Sequence, residues 1–562
     1  MFLFFRRKHD RLRWYWELTN ETEIDIDSAG TFTVSILLYF VDNDLLNKLT
    51  KIMIRKFVII LILLCEIKKV LRVPFLVHSL NPVCPGWWMQ LYQYLWHTDI
   101  STSLNHEKEE TTMKKIIALF LCLAMLLPGF AFAEEATDVW ATLEEAYIYA
   151  FPLVLMDATK TSATNTEAVV TGKAPINQFM HGAATANAQF KNVVTPNVDT
   201  VYTQVWLELG TEPMIYTMPA ADRFFNVQLL DGWTNTVDVL TEPGVYAFTY
   251  ADWQGELPEG VARVDFPTQM AWFIARCLLM DEADLVNVKA IQNEMDIKPL
   301  SAYISGEEYV PAPGTYDAEN DYVPVTKVLS MSPAAFFAKA NELMMANPPA
   351  EADAEMLANI ASVNVGPGMT FNLSVLTGDI AEQWKAMLTG LRPKLIAEGA
   401  KFSVAMGEWS YFGRPIGDFG TEYNYRAMVA LGGLGANTLD VAMYTKTNKD
   451  ETGAEMNGSH IYKIHFETLP PVLDTGFWSV TAYGSDDFLI DNPLNRYAIN
   501  NRSDFVLNED GTFDIIISVS EPEQIGNWLP VNEDDFHLYM RIYTPDMAAI
   551  ETWTAPVITM IQ

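Results

Sequence analysis

The sequence predicts a mainly β protein with α, built as two β-sandwich domains of jelly-roll-like character separated by a helical segment. Three observations predict it. Short runs of period two, bounded by turn residues, fill the stretch from about 200 to 280; a period near 3.6 takes over from about 281 to 399; and period-two runs return after Gly435. Side chains alternate across a strand and repeat every 3.6 residues around a helix, so a change of period marks a change of architecture.

In chain order, residues 139–156 open as an amphipathic helix, with Trp140, Leu143, Tyr147 and Ala150 at three-to-four spacing, and Pro152 is expected to kink or end it. A Ser/Thr-rich loop follows. From Thr200 a half-buried strand is predicted, with Val201, Thr203, Val205, Leu207 and Leu209 on one side and Tyr202, Gln204, Trp206 and Glu208 on the other. Further strands are expected at 214–218, 224–230, 245–249 and 271–277. Ser332-Pro333 suits the N-cap and first turn of a helix over 334–346, which Asn347-Pro348-Pro349 stops. Two more helical stretches, 350–361 and 378–388, flank Gly366-Pro367-Gly368, and Gly432-Gly433-Leu434-Gly435 reads as the turn into the second sandwich. Strands at 461–466, 476–483, 513–519 and 536–543 follow, with Asp510-Gly511 as a hairpin turn.

Residues 113–136 read MKKIIALFLCLAMLLPGFAFAEEA, which is two lysines, an apolar run, Pro128-Gly129 and the small-x-small triplet Ala131-Phe132-Ala133. That order of parts is the order of a secretory signal, with Met113 as the expected start and cleavage near Ala133, leaving Glu134 first. A periplasmic or secreted protein is expected. The apolar runs 116–127 and 57–65 are both well short of the ~20 residues a bilayer requires, so no integral span is expected after signal removal. Residues 1–112 show no sustained period and read as an over-extended translation start. The expected organisation is thus 134–280 for the first sandwich with its N-terminal helix, 281–405 for the helical connection and 406–562 for the second sandwich.

Of 37 Lys+Arg and 71 Asp+Glu, 13 of each precede residue 113 and two lysines lie in the signal-like segment. The remainder carries 22 basic against 58 acidic groups, a net charge of −36. Such a field repels phosphate backbones, which excludes nucleic acid as a partner, and it keeps an exported protein soluble. The four cysteines are Cys65, Cys84, Cys122 and Cys277, and only Cys277 lies beyond the signal, so no internal disulfide is expected.

Chemistry-bearing residues cluster at expected strand ends. Asn197, Asp199 and Thr200 enter the first strand, Tyr202 follows, and Asp231, Trp233 and Asn235 leave a neighbouring one. Two carboxylates at one mouth suit acid/base work or a hard cation, so Asp199 and Asp231 are the catalytic candidates. The plain alternative is that Asn and Asp satisfy their own turns while Trp206 and Trp233 fill the core. Among the histidines, His460 and His465 are five apart and face opposite sides of one strand, and no metal-ligand spacing stands out, so no metal and no cofactor are expected. A G-x-S-x-G elbow and a phosphate loop are absent. Arg496 and Arg541 are scarce cations that suit a ligand carboxylate or, more simply, a neighbouring Asp or Glu. His460, Tyr483, Arg496 and Trp528 complete the ligand-binding candidates.

Several motifs together resemble a known pair of families. In the first half these are EAYIYAFPLVLM (145–156), TPNVDTVYTQVWLELG (195–210), RFFNVQLLDGWTN (223–235) and FPTQMAWFIAR (266–276). The second half has GSHIYKIHFETLPPVLDTGFWSVTAYG (458–484), NPLNRYAI (492–499), DGTFDIII (510–517) and NWLPV (527–531). In that order they resemble domain of unknown function 1254 followed by domain of unknown function 1214. The resemblance implies two sandwich domains with helices between them and no stated activity. It departs at His465-Phe466-Glu467-Thr468, where the family's pattern is closer to HFPKG and would supply a basic contact. The expected function is binding of a small molecule or glycan at a carboxylate- and aromatic-lined pocket, with enzymatic turnover open. The alternative is a non-catalytic interaction protein, including a homo-oligomer, that uses its sandwich surfaces for assembly. A pocket of ~300 Å³ or more lined by Asp, Asn and Trp separates the first from the second.

Overall fold

The computed structural model describes residues 138–562, apart from 192, 251, 252 and 524, together with the backbone of four strands nearer the start. The signal-like segment and Glu134 lie outside the described residues. The four early strands, β1 (Phe4–Lys8), β2 (Arg11–Tyr15), β3 (Glu21–Ile26) and β4 (Phe32–Ile36), pair in order as an antiparallel meander. They are not among the strands expected from the sequence. They belong to a compact unit, Met1–Phe130, separate from the unit Ala131–Gln562 that contains everything below.

The first sandwich has one sheet in the order β5 (Met180–His181), β6 (Thr200–Glu208), β12 (Met270–Leu278), β8 (Phe225–Asp231), β9 (Thr236–Leu240). Its second sheet runs β11 (Val261–Phe266), β10 (Gly244–Tyr250), β7 (Met214–Met218), β13 (Asp296–Pro299). Val201, Val205, Val227 and Phe273 from one sheet close on Tyr216, Phe248 and Phe266 from the other. β13 therefore places part of the stretch expected to be purely helical inside this sandwich.

β6 is half-buried as expected at Tyr202, Gln204 and Glu208, but Trp206 on that same face is covered. Trp206 stacks on Trp272 at 4.7 Å, and both join Leu230 and Ile274 under a helical layer. That layer is α1 (Val139–Ala163), α4 (Pro324–Leu329), α5 (Pro333–Ala346), α6 (Ala354–Ile360), α7 (Ile380–Gly399) and α8 (Tyr423–Gly433), while α2 (Leu285–Glu294) and α3 (Leu300–Ser305) flank β13. α1 continues through Pro152, which therefore does not end it, and after a start with Ala141 and Glu145 exposed it is buried continuously from Ala146 to Met156, so its middle is an enclosed core helix. By length and composition it would span a membrane, yet 72% of its most apolar window is buried in the protein. Ser332 caps α5 by accepting from the Ala335 amide, as its sequence implies.

The second sandwich pairs β14 (Ser403–Met406), β15 (Trp409–Phe412), β16 (Ala442–Thr447), β22 (Phe536–Pro545), β18 (Val472–Gly484), β19 (Ala498–Asn500) with β21 (Trp528–Pro530), β20 (Phe513–Ser518), β17 (Tyr462–Phe466), β23 (Val557–Met560). A short helix, α9 (Met547–Ile550), lies between β22 and β23. Ile464, Val480, Ile515, Leu538 and Ile542 form its core. Each sandwich includes one parallel pair, β10 with β11 and β20 with β21. The Asp510-Gly511 turn is closed by the Asn508 amide on the Thr512 carbonyl, but β20 pairs with β17 and β21, so it is a turn without a hairpin.

Candidate functional site

Asp199 and Asp231 do not share a mouth. β6 and β8 both run antiparallel to β12, hence parallel to each other, and Asp199 precedes one while Asp231 ends the other. Thr200 lies opposite Leu278 and Asp231 opposite Ala271, seven residues along β12 or about 23 Å. The sequence could not show this, because it does not say which strand sits between the two.

Asp199 is fully buried. The Asn197 side-chain oxygen Oδ1 accepts from the Asp199 and Thr200 amides at 2.6 and 3.2 Å, a local turn that aims Asp199 out of its own domain. There it accepts from Ser479 Oγ at 2.6 Å and from Arg502 Nη2 at 2.8 Å. It is a charged rivet between the two sandwiches. Asp231 instead closes its own β8–β9 turn, accepting from the Trp233 and Asn235 amides at 2.8 and 2.9 Å and from Asn235 Nδ2 at 3.0 Å. Burial raises its carboxyl above the usual range, partly offset by those bonds.

Trp233 donates to the Asn347 carbonyl at 3.1 Å and Asn235 accepts from Phe419 N, so this turn is architecture. His460 is exposed beside Tyr462. Arg496 donates to the Ile525 and Trp528 carbonyls, and Trp528 donates to Ser518 O, so both serve the second sandwich. These three do not approach the others. Asn197, Asp199, Thr200, Tyr202 and Tyr483 do converge, at the seam between the sandwiches, where the Tyr483 hydroxyl donates to Pro196 O at 2.7 Å.

Strand alternation builds that seam. The odd residues of β22 point away from the second core, placing Arg541 and Tyr543 in the seam, with Tyr444 opposite Arg541 on β16 and Ser479 opposite it on β18. From the first sandwich come Tyr202, Asn226, Gln228 and Arg276, on the face of β6, β8 and β12 opposite its core. Arg276 donates to Gln228 Oε1 at 2.9 Å, to Asn437 Oδ1 at 3.2 Å and to Gly435 O at 3.2 Å, with its guanidinium over the Tyr202 ring. Gly435 has φ +82°, and a Cβ there would stand 3.1 Å from Ile274, so the close approach that presents its carbonyl needs glycine. Arg541 donates to Thr195 O at 2.8 Å and to Thr481 Oγ1 at 3.4 Å. The expected pairing of Arg541 with an acidic neighbour is corrected: among the described residues no carboxylate bonds to Arg541 or Arg276.

The two asparagines fix the phenols. Asn437 Oδ1 is taken by Arg276, so its Nδ2 faces Tyr444 and donates to the hydroxyl at 2.9 Å. Asn197 Oδ1 is taken by two backbone amides, so its Nδ2 donates to the Tyr543 hydroxyl at 2.5 Å. Each phenol is thereby made an acceptor on one side, and its own proton is free to be donated. Burial raises Tyr444 above the usual value, with Arg276 pulling the other way. Burial and then the Tyr444 and Tyr202 phenols raise Tyr543 well above it. Both stay protonated at neutral pH. Arg276, Asn437, Tyr444, Arg502 and Tyr543 were missed from the sequence, although Arg276 left a signal as the one charge in the apolar run AWFIARCLL.

Among the described residues there is no group of three or more His, Cys, Asp or Glu placed to hold a metal. An open groove of about 500 Å³ lies elsewhere, between Leu329, Met331 and Pro333 and the Trp384–Leu388 face of α7. Its lining mixes Ser330, Ser332, Lys385 and Thr389 with apolar groups, and it is not the Asp-, Asn- and Trp-lined pocket expected.

No curated protein matches the chain. Among solved structures it is similar to the VPA0106 protein of Vibrio parahaemolyticus, with 24% identity and a TM-score of 0.56 over 76% of this chain and all of that one. An uncharacterised protein from Burkholderia cenocepacia matches at 10% identity and a TM-score of 0.36, over 77% of this chain and 96% of that one. The first likeness is one of fold. Residues 176–299 match the family model described as protein of unknown function DUF1254, and residues 441–547 that of protein of unknown function DUF1214. The first match ends where β13 completes the first sandwich, and the second spans β16 to β22. The chain thus carries the DUF1254 and DUF1214 domains in one polypeptide, a pairing that defines an architecture and leaves the activity to be read from the seam.

Proposed function

We propose that this protein binds a small carboxylate-bearing molecule at the seam between its sandwiches. One observation carries the reading: Arg276 and Arg541, each only 4% exposed, hydrogen-bond only to neutral groups among the described residues, and the one carboxylate acting on Arg541, Asp199, is already bonded to Arg502. An unpaired buried charge costs several kcal/mol, and a chain with 58 acidic groups beyond the signal has no shortage of counter-ions. Arg223 shows the ordinary solution, bonded to Asp222 and Asp284. Cations kept unpaired in such a chain suit a ligand that brings the charge. A guanidinium fork matches a carboxylate, and the free phenol protons add donors at the same place. Those donors would also stabilise negative charge developing on a bound carbonyl, which is the route by which the site would turn over a substrate. Export through the signal-like segment is part of the same proposal, supported by its order of parts, and N-terminal sequencing of native material should begin near Glu134.

The test is native mass spectrometry of freshly purified protein, followed by melting curves with small carboxylic acids and their uncharged amides. Acids should stabilise the fold and amides should not, and Arg541→Gln should remove the difference. Equal behaviour of acids and amides would favour the assembly reading instead.

A further inference from the structure

We infer that the seam takes a ligand with two anionic ends, a dicarboxylate, one end on Arg276 and the other on Arg541; this rests on reading the seam as an anion site. The charge inventory comes first. Three guanidiniums, Arg276, Arg502 and Arg541, and one carboxylate, Asp199, line the seam. Arg502 and Asp199 bond at 2.8 Å and cancel. Two positive charges remain, and they stand on opposite walls: Arg276 on β12 of the first sandwich, Arg541 on β22 of the second. A single carboxylate lying against one wall would leave the other uncompensated.

The unspent hydrogen-bonding capacity agrees. Of twelve buried side-chain N and O atoms with no partner in the protein among the described residues, five belong to this seam: Thr200 Oγ1, both amide atoms of Asn226, Arg276 Nε and Arg502 Nε. Asn226 lies directly opposite Arg276 on β8, so the shortfall concentrates on one wall. On the other, Arg541 is bonded to Thr195, Thr481 and Tyr483, and the Tyr444 and Tyr543 protons are unspent, their ring centroids 6.4 Å apart. The surplus is of donors, with only the Thr200 hydroxyl and the Asn226 carbonyl left to accept. A neutral sugar, which offers a donor with each acceptor, fits that balance poorly. Four carboxylate oxygens, each pair meeting one guanidinium and further phenol or amide donors, fit it well.

Depth sets the size. Arg276, Arg541 and Tyr543 are buried and Tyr202, Tyr444 and Tyr539 half-buried, so a ligand that reaches both guanidiniums is small.

The experiment is calorimetric titration of the full chain with succinate, glutarate and adipate, beside butyrate and valerate. At least one diacid should bind about tenfold or more tightly than the monoacid of the same length, a step of one decade in Kd. Arg276→Gln and Arg541→Gln should each bring diacid affinity down to the monoacid level. Arg276→Lys and Arg541→Lys, which keep the charge and lose the fork, should fall between, and their melting curves show that the fold survives. If monoacids bind as tightly as diacids, or if Arg276→Gln leaves diacid binding unchanged, the two-ended ligand is wrong and the anion site stands. If no acid binds the unaltered protein at all, both are wrong.

Discussion

Arg426 and the Arg276–Arg541 pair are buried alike and neutralised differently. Arg426, on α8, stands 5.1 to 5.5 Å from the centres of three rings, Trp233, Tyr423 and Tyr149. Its Nε and Nη2 make no hydrogen bond, and its charge is answered at a distance by Asp353 and Asp231. Asp353 holds the Tyr149 and Tyr423 hydroxyls at 2.9 Å each, and Asp231 is tied to its own turn. One cation thus faces two carboxylates inside a ring cage. At the seam the balance is reversed, with two cations left over after Asp199 and Arg502 cancel. The first arrangement is closed and consumes its charge internally; the second is open and leaves charge to be met from outside. The same residue type at the same burial therefore signals structure in one place and binding in the other, and the identity of its neighbours decides which.

The largest expected effect breaks the closed cage. Arg426→Met should cost about 3–5 kcal/mol of stability in urea unfolding, because it strands two buried carboxylates, whereas Arg276→Met, which removes an uncompensated cation, should cost about 1–2. Equal losses would dissolve the distinction. Asp199→Asn comes next, at about 2–4 kcal/mol, since it breaks a buried pair with Arg502. A solvent-facing turn residue would lose at most about 1 kcal/mol, and its full burial sets Asp199 apart from one.

Asp231→Asn sharpens the comparison from the other side. It keeps the oxygen that accepts from the Trp233 and Asn235 amides but turns the acceptor of Asn235 Nδ2 into a donor, so it should cost about 1–3 kcal/mol at pH 7. Its signature is pH dependence. Burial raises the folded carboxyl above the usual 3.8, so the native state binds more protons than the unfolded chain in that interval. Stability therefore falls as pH rises from about 4 through the folded value, and Asp231→Asn should remove that part of the slope in a stability–pH profile. A slope that survives the substitution would assign it to another group.

The smallest effect expected is none. Cys277 is buried in the first core and its thiol is pushed up to about 12 by burial, with no cysteine partner among the described residues. Reducing agent should leave Tm unchanged, and alkylation should be slow until the protein unfolds.

The strands of both sandwiches and the capped helix α5 could be read from the chain because the forces that define them are local: a period, a cap, a proline. Met214–Met218 and Pro333–Ala346 fall where those signals put them. The reading failed where burial came from elsewhere. α1 passes through Pro152 because helices on several sides enclose it, and Trp206 faces a helical layer where a half-exposed sheet was expected. The candidate site divided in the same way. Asn197, Asp199, Thr200 and Tyr202 announced themselves as polar groups at a strand entrance, but not what they would meet. Asn197 finds Tyr543 across 346 residues, Arg276 finds Asn437 across 161, and Asp199 finds Arg502 across 303. Which carboxylate is a rivet, which is a turn and which arginines are left unpaired depends on the back faces of two sheets meeting. Alternation says only that each strand has such a face, and the docking of the two sandwiches decides what lies against it.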